Sequence, residues 1–225
     1  AQIGDILSRL VPESGLEAIV VDGGSIDGTS SLAEGYGARV VASPPGRAQQ
    51  MNQGAAVAKG KVLLFLHADT RLPVGWLEQV RATLQKSDVV AGAFSLRFDS
   101  HARVFQVIEW FANLRSRYLQ LPYGDQALFL PTILFHELNG FAELPVLEDM
   151  DLVWRLRRKG RIEILTVPVV TSTRRWDRVG TWKVNLLHVS ALIAFFLGVS
   201  PLRVHAWFRL AGYYQSDTKR DQEEG

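Results

Sequence analysis

Over residues 17–88 the chain alternates short aliphatic, β-branched runs with helical stretches, and this alternation narrows its fold more than any other feature. Short apolar strands separated by helix-length connections form parallel sheets, because each crossover helix covers the sheet it leaves. Strands are predicted over 18–21 (A-I-V-V), 39–42 and 61–66 (K-V-L-L-F-L), with helices over 27–36, over 47–58 and from Pro73. Beyond residue 88 the alternation stops. A strand over 89–98, a helix over 101–120, a strand over 126–130, a helix over 148–159 and a strand over 162–170 follow, then helices over 179–197 and 201–214. The expectation is an α/β fold: a mixed sheet flanked by helices, with C-terminal helices, as one domain over 1–215. A charged, flexible tail is expected over 216–225. No repeat or interdomain linker interrupts the pattern.

Composition excludes several functions. Lys and Arg number 25 against 23 Asp and Glu, a formal charge of +2, so nothing in the balance points to nucleic acid as a partner. The absence of cysteine removes disulfides, thiolate metal sites and cysteine nucleophiles together, and fits a reducing, cytoplasmic setting. The N-terminus carries an amphipathic pattern (Ile3, Ile6, Leu7, Leu10) in place of a secretory apolar core, and there is no initiator Met. The longest apolar stretch, 186–199, is shorter than the ~20 residues that cross a bilayer. It reads as a core helix ahead of a membrane-surface helix; contact with the inner face of a membrane and a homodimer stay open.

In an open α/β sheet, ligands bind beyond the carboxyl ends of the strands. Asp22 follows the first strand with Gly23 and Gly24, where it can meet a base or ribose or simply cap its turn. Asp69 follows the third strand. One oxygen donor suffices for a divalent ion that also binds a diphosphate, the alternative being an N-cap, a role Thr70 could fill. Glu148 and Asp149 open a helix on adjacent positions, so they project differently: one can orient an acceptor and the other remove its proton. Acidic residues in a first helical turn are also favoured by about 0.3–1 kcal/mol without any such role. Arg174, Arg175 and Trp176 suit a diphosphate, through planar guanidinium forks beside an indole, or form a solvated basic patch. A second basic run, Arg155 to Arg161, reads as a solvated face ahead of an anionic-lipid site. No P-loop ending, G-x-G-x-x-G or G-x-S-x-G is present, against kinase, dehydrogenase and esterase readings.

The motifs come in a recognisable order: V-D-G-G-S-I-D-G-T, G-R-A-Q-Q-M-N-Q-G-A, F-L-H-A-D-T, Y-G-D-Q-A-L-F, L-E-D-M-D-L-V-W-R-L and R-R-W. In this the chain resembles the inverting family 2 glycosyltransferases of GT-A fold. Within them it is most similar to the small bacterial subfamily associated with radical-SAM/selenodomain proteins or arsenosugar biosynthesis. The resemblance implies a nucleotide-sugar donor, UDP-linked by weak family preference, held by Asp22, Gly23, Arg47, Asp69, Arg174, Arg175 and Trp176. It implies Mg or Mn on Asp69, the last aspartate of a D-x-D element whose first position is His67. Tyr123, Asp125, Gln126 and Glu148 would face a small-molecule or lipid acceptor, and Asp149 would be the general base. The glutamine of the Q-x-x-R-W motif is missing, as is the opening strand with its P-x-x-N-E loop, which is expected to have been lost from the N-terminus. Two rivals stay open: a nucleotidyltransferase that forms a nucleotide-sugar, and a non-catalytic nucleotide- or lipid-binding module.

Overall fold

The computed structural model describes residues 2–10 and 14–214, apart from the side chains of Gln2 and Arg175. The tail expected over 216–225 lies outside the described residues. The chain groups into two compact units, Ala1–Glu143 with Glu148–Ser172, and Leu144–Leu147 with Thr173–Gly225.

The first unit runs α1 (Gln2–Leu10), β1 (Ile19–Asp22), α2 (Thr29–Gly35), β2 (Arg39–Ala42), α3 (Arg47–Val57), β3 (Val62–Leu64), β4 (Thr70–Arg71), α4 (Trp76–Leu84), β5 (Val89–Phe98) and α5 (Arg103–Leu119). A 3-10 turn (Gly124–Gln126), β6 (Phe129–Pro131), α6 (Thr132–Glu137), α7 (Glu148–Arg157) and β7 (Arg161–Thr171) complete it. β1 and β2 pair in parallel, as the βαβ pattern requires. The larger sheet has the order β3-β6-β5-β7-β4. In it β5 and β7 are parallel, while β6 and β4 pair antiparallel with their neighbours. The mixed sheet is thus the architecture expected from the loss of alternation after residue 88.

Side-chain size dictates the close contacts. Gly92 lies under the Phe129 ring, where an added Cβ would sit 2.3 Å from the ring, so β5 and β6 meet at this glycine. Trp76 and Val80 of α4 close over Phe94, Phe129 and Val169, a fully apolar cluster. Near the end of β5, where β6 no longer pairs with it, α5 completes the hydrogen bonding. Asn113 accepts from Leu96 N at 2.7 Å and donates to Leu96 O at 3.0 Å, and Glu109 accepts from Phe98 N at 2.7 Å. An otherwise open strand edge is thereby satisfied by side chains.

Gly54, the first residue of the Gly54-Ala55-Ala56 run, forms no phosphate loop. It lies inside α3, where a Cβ would sit 2.9 Å from Val21 Cγ2, and its smallness lets α3 approach β1. The helix from Pro73 begins later, at Trp76 behind Gly75 at φ 70, and Thr70 is in β4, paired with Thr171.

In the second unit, α8 (Arg174–Val179), α9 (Thr181–Phe196) and α10 (Pro201–Leu210) follow one another. The single helix expected over 179–197 is broken at Gly180, whose φ of 101 continues no helix. Ala191 and Ala194 of α9 pack with Val204 and Phe208 of α10 and with Val146.

Candidate active site

Four segments of the first unit converge on Gly124: the start of α3, the loop between β3 and β4, the 3-10 turn before β6 and the start of α7. A Cβ on Gly124 would lie 3.0 Å from an Arg47 guanidinium nitrogen, 3.2 Å from Asp149 Oδ2 and 3.3 Å from His67 Nε2. Absence of a side chain is what lets these three groups meet. Asp149 is oriented by two backbone donors, Gly124 N to Oδ2 at 2.7 Å and Met150 N to Oδ1 at 2.8 Å. A carboxylate offers about four acceptor positions, so two remain for other partners.

Arg47 is the first residue of α3, where the helix dipole disfavours a cation by about 0.3–1 kcal/mol. Glu148 offsets this: it is buried, and its Oε1 lies 3.1 Å from Arg47 Nε, close enough for an ion pair although the N–H is off the hydrogen-bond line. The other side of the guanidinium donates to His67 Nε2 at 3.1 Å. Because arginine stays protonated, this contact makes Nε2 the acceptor and His67 the neutral tautomer protonated on Nδ1. The Arg47 side chain remains 51% exposed even with its guanidinium held by Glu148 and His67.

Burial sets the titration of this cluster. It pushes the Asp125 carboxyl up to about 6; Arg115 opposes the rise and Asp149 adds to it. Asp125 Oδ1 is buried and has no hydrogen-bond partner among the described residues. Glu148 is raised by burial too, then by Asp149, with Arg47 acting against both. Burial also pushes the Tyr123 hydroxyl up to about 12. The guanidinium of Arg115 lies 3.5 Å from the Tyr123 ring centroid and donates to Leu121 O at 3.0 Å, holding both ends of the loop before the turn.

Other expected site residues do other work or belong to the second unit. Gln126 does not face an acceptor: it is fully buried, donating to Phe94 O at 2.8 Å and accepting from Ser116 Oγ at 2.7 Å and Tyr123 N at 3.2 Å. Its amide builds the turn. Glu148 likewise pairs with Arg47. Asp22 accepts from Ser25 N at 2.9 Å, Gly24 N at 3.2 Å and Ser30 Oγ at 2.5 Å, bonds to Ser25 and Ser30 that hold its carboxyl down to about 2. Its local capping role is therefore realised. Gly23 faces Gln50 of α3, whose amide donates to Val21 O at 3.1 Å. Arg174 and Trp176 belong to the second unit, with Arg174 exposed and Trp176 buried edge-on to His188 at 5.4 Å. The side chain of Arg175 lies outside the described residues.

Among the described residues no three His, Asp or Glu side chains are grouped to hold a metal ion. A closed protein cage is thus not built. Asp69 precedes β4, its backbone O accepting from Ser172 N at 3.1 Å, and its carboxylate meets Thr70 Oγ1 only at 3.4 Å. A weakly engaged carboxylate fits an ion whose other positions are filled by phosphate oxygens and water, as magnesium-type sites require. His67 Nε2 is committed to Arg47, so of the His67 and Asp69 pair it is Asp69 that has side-chain oxygens to offer an ion.

Sequence reasoning missed the residues that lock this arrangement from behind. Asn52 donates to Phe141 O at 2.8 Å and accepts from Phe141 N at 2.9 Å. Arg155, expected on a solvated face, donates to Gly140 O at 2.8 Å and to Leu138 O, and pairs with Asp151 at 2.6 Å. Both grip one left-handed turn, Asn139 and Gly140 at φ 58 and 65. The Asn-Gly pair was the available signal.

Comparisons with known proteins bear on the family and the fold. A family model described as Glycosyl transferase family 2 matches residues 3–141. Uncharacterized glycosyltransferases of Mycobacterium tuberculosis and Mycobacterium bovis are each 34% identical over 121 residues, 51% of this chain and 54% of theirs. The chain thus spans about half the length of the curated relatives it matches. Among solved structures, the mannosyltransferase PcManGT of Pyrobaculum calidifontis, in complex with GDP-Man and Mn2+, has a TM-score of 0.68 at 16% identity, covering 96% of this chain and 66% of that one. Glucosyl-3-phosphoglycerate synthase of M. tuberculosis, with Mn2+, UDP-glucose and phosphoglyceric acid, gives 0.58 at 22% identity, covering 80% and 70%. S. aureus TarS gives 0.62 at 18%, covering 99% and 71%. These likenesses show the GT-A fold. With the family model spanning more than half of its length, the chain belongs to glycosyl transferase family 2.

Proposed function

We propose that this protein moves a sugar from a nucleoside-diphosphate sugar to an acceptor hydroxyl, with inversion at the anomeric carbon. The observation that supports this best is the convergence on Gly124 of a backbone-oriented carboxylate, Asp149, and a half-exposed guanidinium, Arg47. Inverting transfer needs these two groups. A base takes the proton of the attacking hydroxyl, and a cation balances charge on the departing diphosphate.

In this reading Asp149, held by Gly124 N and Met150 N, presents its remaining lone pairs to the acceptor hydroxyl and accepts its proton. Arg47 supplies its positive charge to diphosphate oxygens, while buried Glu148 holds the guanidinium at Nε. Tyr123 and Asp125 line the acceptor side, and the Asp22–Gly23 turn presents backbone to the nucleoside. Asp69 would hold a divalent ion, Mg or Mn, which when bound neutralises charge on the diphosphate. The solved relatives complexed with Mn2+ support such an ion, and one carrying UDP-glucose supports a UDP-sugar donor. The ordered motifs, from V-D-G-G-S to L-E-D-M-D, support the radical-SAM/selenodomain or arsenosugar-type subfamily.

The test is Asp149→Asn, which keeps the shape and the Gly124 contact but cannot accept a proton. Release of nucleoside diphosphate in the presence of acceptor should fall by about 10²–10⁴-fold, with donor affinity held within about twofold. Transfer at the wild-type rate would remove Asp149 from the role of base.

A further inference from the structure

We propose that the outer face of α9 and α10 docks on a bilayer surface bearing anionic lipid. In α9 the side chains of Trp182, Leu186, Val189, Ile193 and Phe196 are all exposed, as is that of Leu197 at its C-cap. At about 100° per residue they fall within an arc of about 100° on the helix. Opposite this arc Val184 and Ala191 are buried, and the helix packs with α10 through Ala191, Ala194, Val204 and Phe208. The exposed residues of both helices therefore face away from the cluster they share. Trp182 and Leu186 are 73% and 69% exposed, and on α10 Leu202 and Leu210 are 71% and 84% exposed. A contiguous apolar stripe of this kind on a folded unit marks a surface with a partner.

Charge selects the partner. From residue 178 to residue 214 the sequence contains no Asp or Glu, while Arg178, Lys183, Arg203 and Arg209 contribute four positive charges. An apolar stripe set among cations, with Trp182 at its start and Trp207 and Tyr214 exposed on and just beyond α10, offers a lipid interface both apolar and basic side chains. No helix among the described residues is long and apolar enough to cross a membrane. α9, at 16 residues, is about 24 Å long against a hydrocarbon core of about 30 Å. Its geometry suits lying on the surface. Residues 215–225 of this sequence (Q-S-D-T-K-R-D-Q-E-E-G) hold no apolar side chain that could cover the stripe.

The experiment is sedimentation of the purified chain with phosphatidylcholine vesicles, with and without phosphatidylglycerol, at low and high salt. Binding should require phosphatidylglycerol and weaken about tenfold at high salt. The exposed double variant Leu186→Ser with Ile193→Ser, and the charge variant Lys183→Glu with Arg203→Glu, should each lose about tenfold or more of the wild-type partition while keeping its Tm. Absence of wild-type binding to phosphatidylglycerol vesicles, or equal binding without that lipid, would overturn the proposal. So would a dimer in sedimentation velocity that the Leu186→Ser and Ile193→Ser pair dissolves, since the stripe would then serve a second copy. All of these readouts are independent of sugar transfer.

Discussion

Replacing Asp125 by Asn preserves the shape of the side chain and removes its titration. In the folded protein, burial, with Arg115 opposing and Asp149 reinforcing, raises this carboxyl from its ordinary 3.8 to about 6. At low pH the proton is bound in both folded and unfolded chains and the group contributes nothing. As the pH rises past 3.8 the unfolded chain releases its proton first, so each further step favours unfolding, until the folded group ionises near 6 and the cost levels off. A rise of about two units, at 1.36 kcal/mol each, would make the full cost about 3 kcal/mol. Asp125 is partly rather than fully covered, and solvent screening reduces this to about 2 kcal/mol. Asp125→Asn should therefore be more stable than wild type by about 2 kcal/mol at about pH 7.5, with the gap closing to within about 0.5 kcal/mol near pH 4. Urea unfolding of both proteins across that range reads the difference directly. A gap that does not change with pH, or a variant less stable than wild type at about pH 7.5, would refute the claim that Asp125 is held ionised against its burial.

Gly124→Ala places a methyl 3.0–3.3 Å from Arg47, His67 and Asp149. Because the Arg47 tip can yield, stability should change by less than about 1 kcal/mol, while transfer falls about tenfold to a hundredfold as the two charged groups are pushed apart. Comparing Tm with initial rates separates the two effects. Asn52→Ala leaves both the N–H and the carbonyl of Phe141 without their partner, and should cost about 3 kcal/mol in urea unfolding. A loss under about 0.5 kcal/mol would mean that this clamp is not needed.

The sequence was most legible where local pattern and tertiary environment agree. The strands predicted over 39–42 and 89–98 coincide with Arg39–Ala42 and Val89–Phe98, since apolar runs bounded by turn residues decide both. Two-residue β4 was invisible because Thr70 and Arg71 become a strand only by pairing with Val170 and Thr171, about a hundred residues away. Six-residue α6 was too short to show a period. In the site, chain position marked Asp69 and Asp149, because each sits at an element boundary, while Arg47 came only from the family resemblance. Spacing could not show that Glu148 pairs with Arg47 or that Gln126 turns inward; both depend on contacts between separate segments. Asn52 and Arg155 were hidden for the same reason, each looking like an ordinary polar helical residue.

Calorimetric titration with UDP, GDP and ADP, each with and without Mn2+, tests the donor site most directly. The account predicts that one of these diphosphates binds, that Mn2+ tightens it, and that Asp69→Ala abolishes the tightening while Arg47→Ala weakens binding in either condition. Failure of all three to bind with Mn2+ present, or tight binding untouched by both substitutions, would contradict a diphosphate site at Arg47 and Asp69.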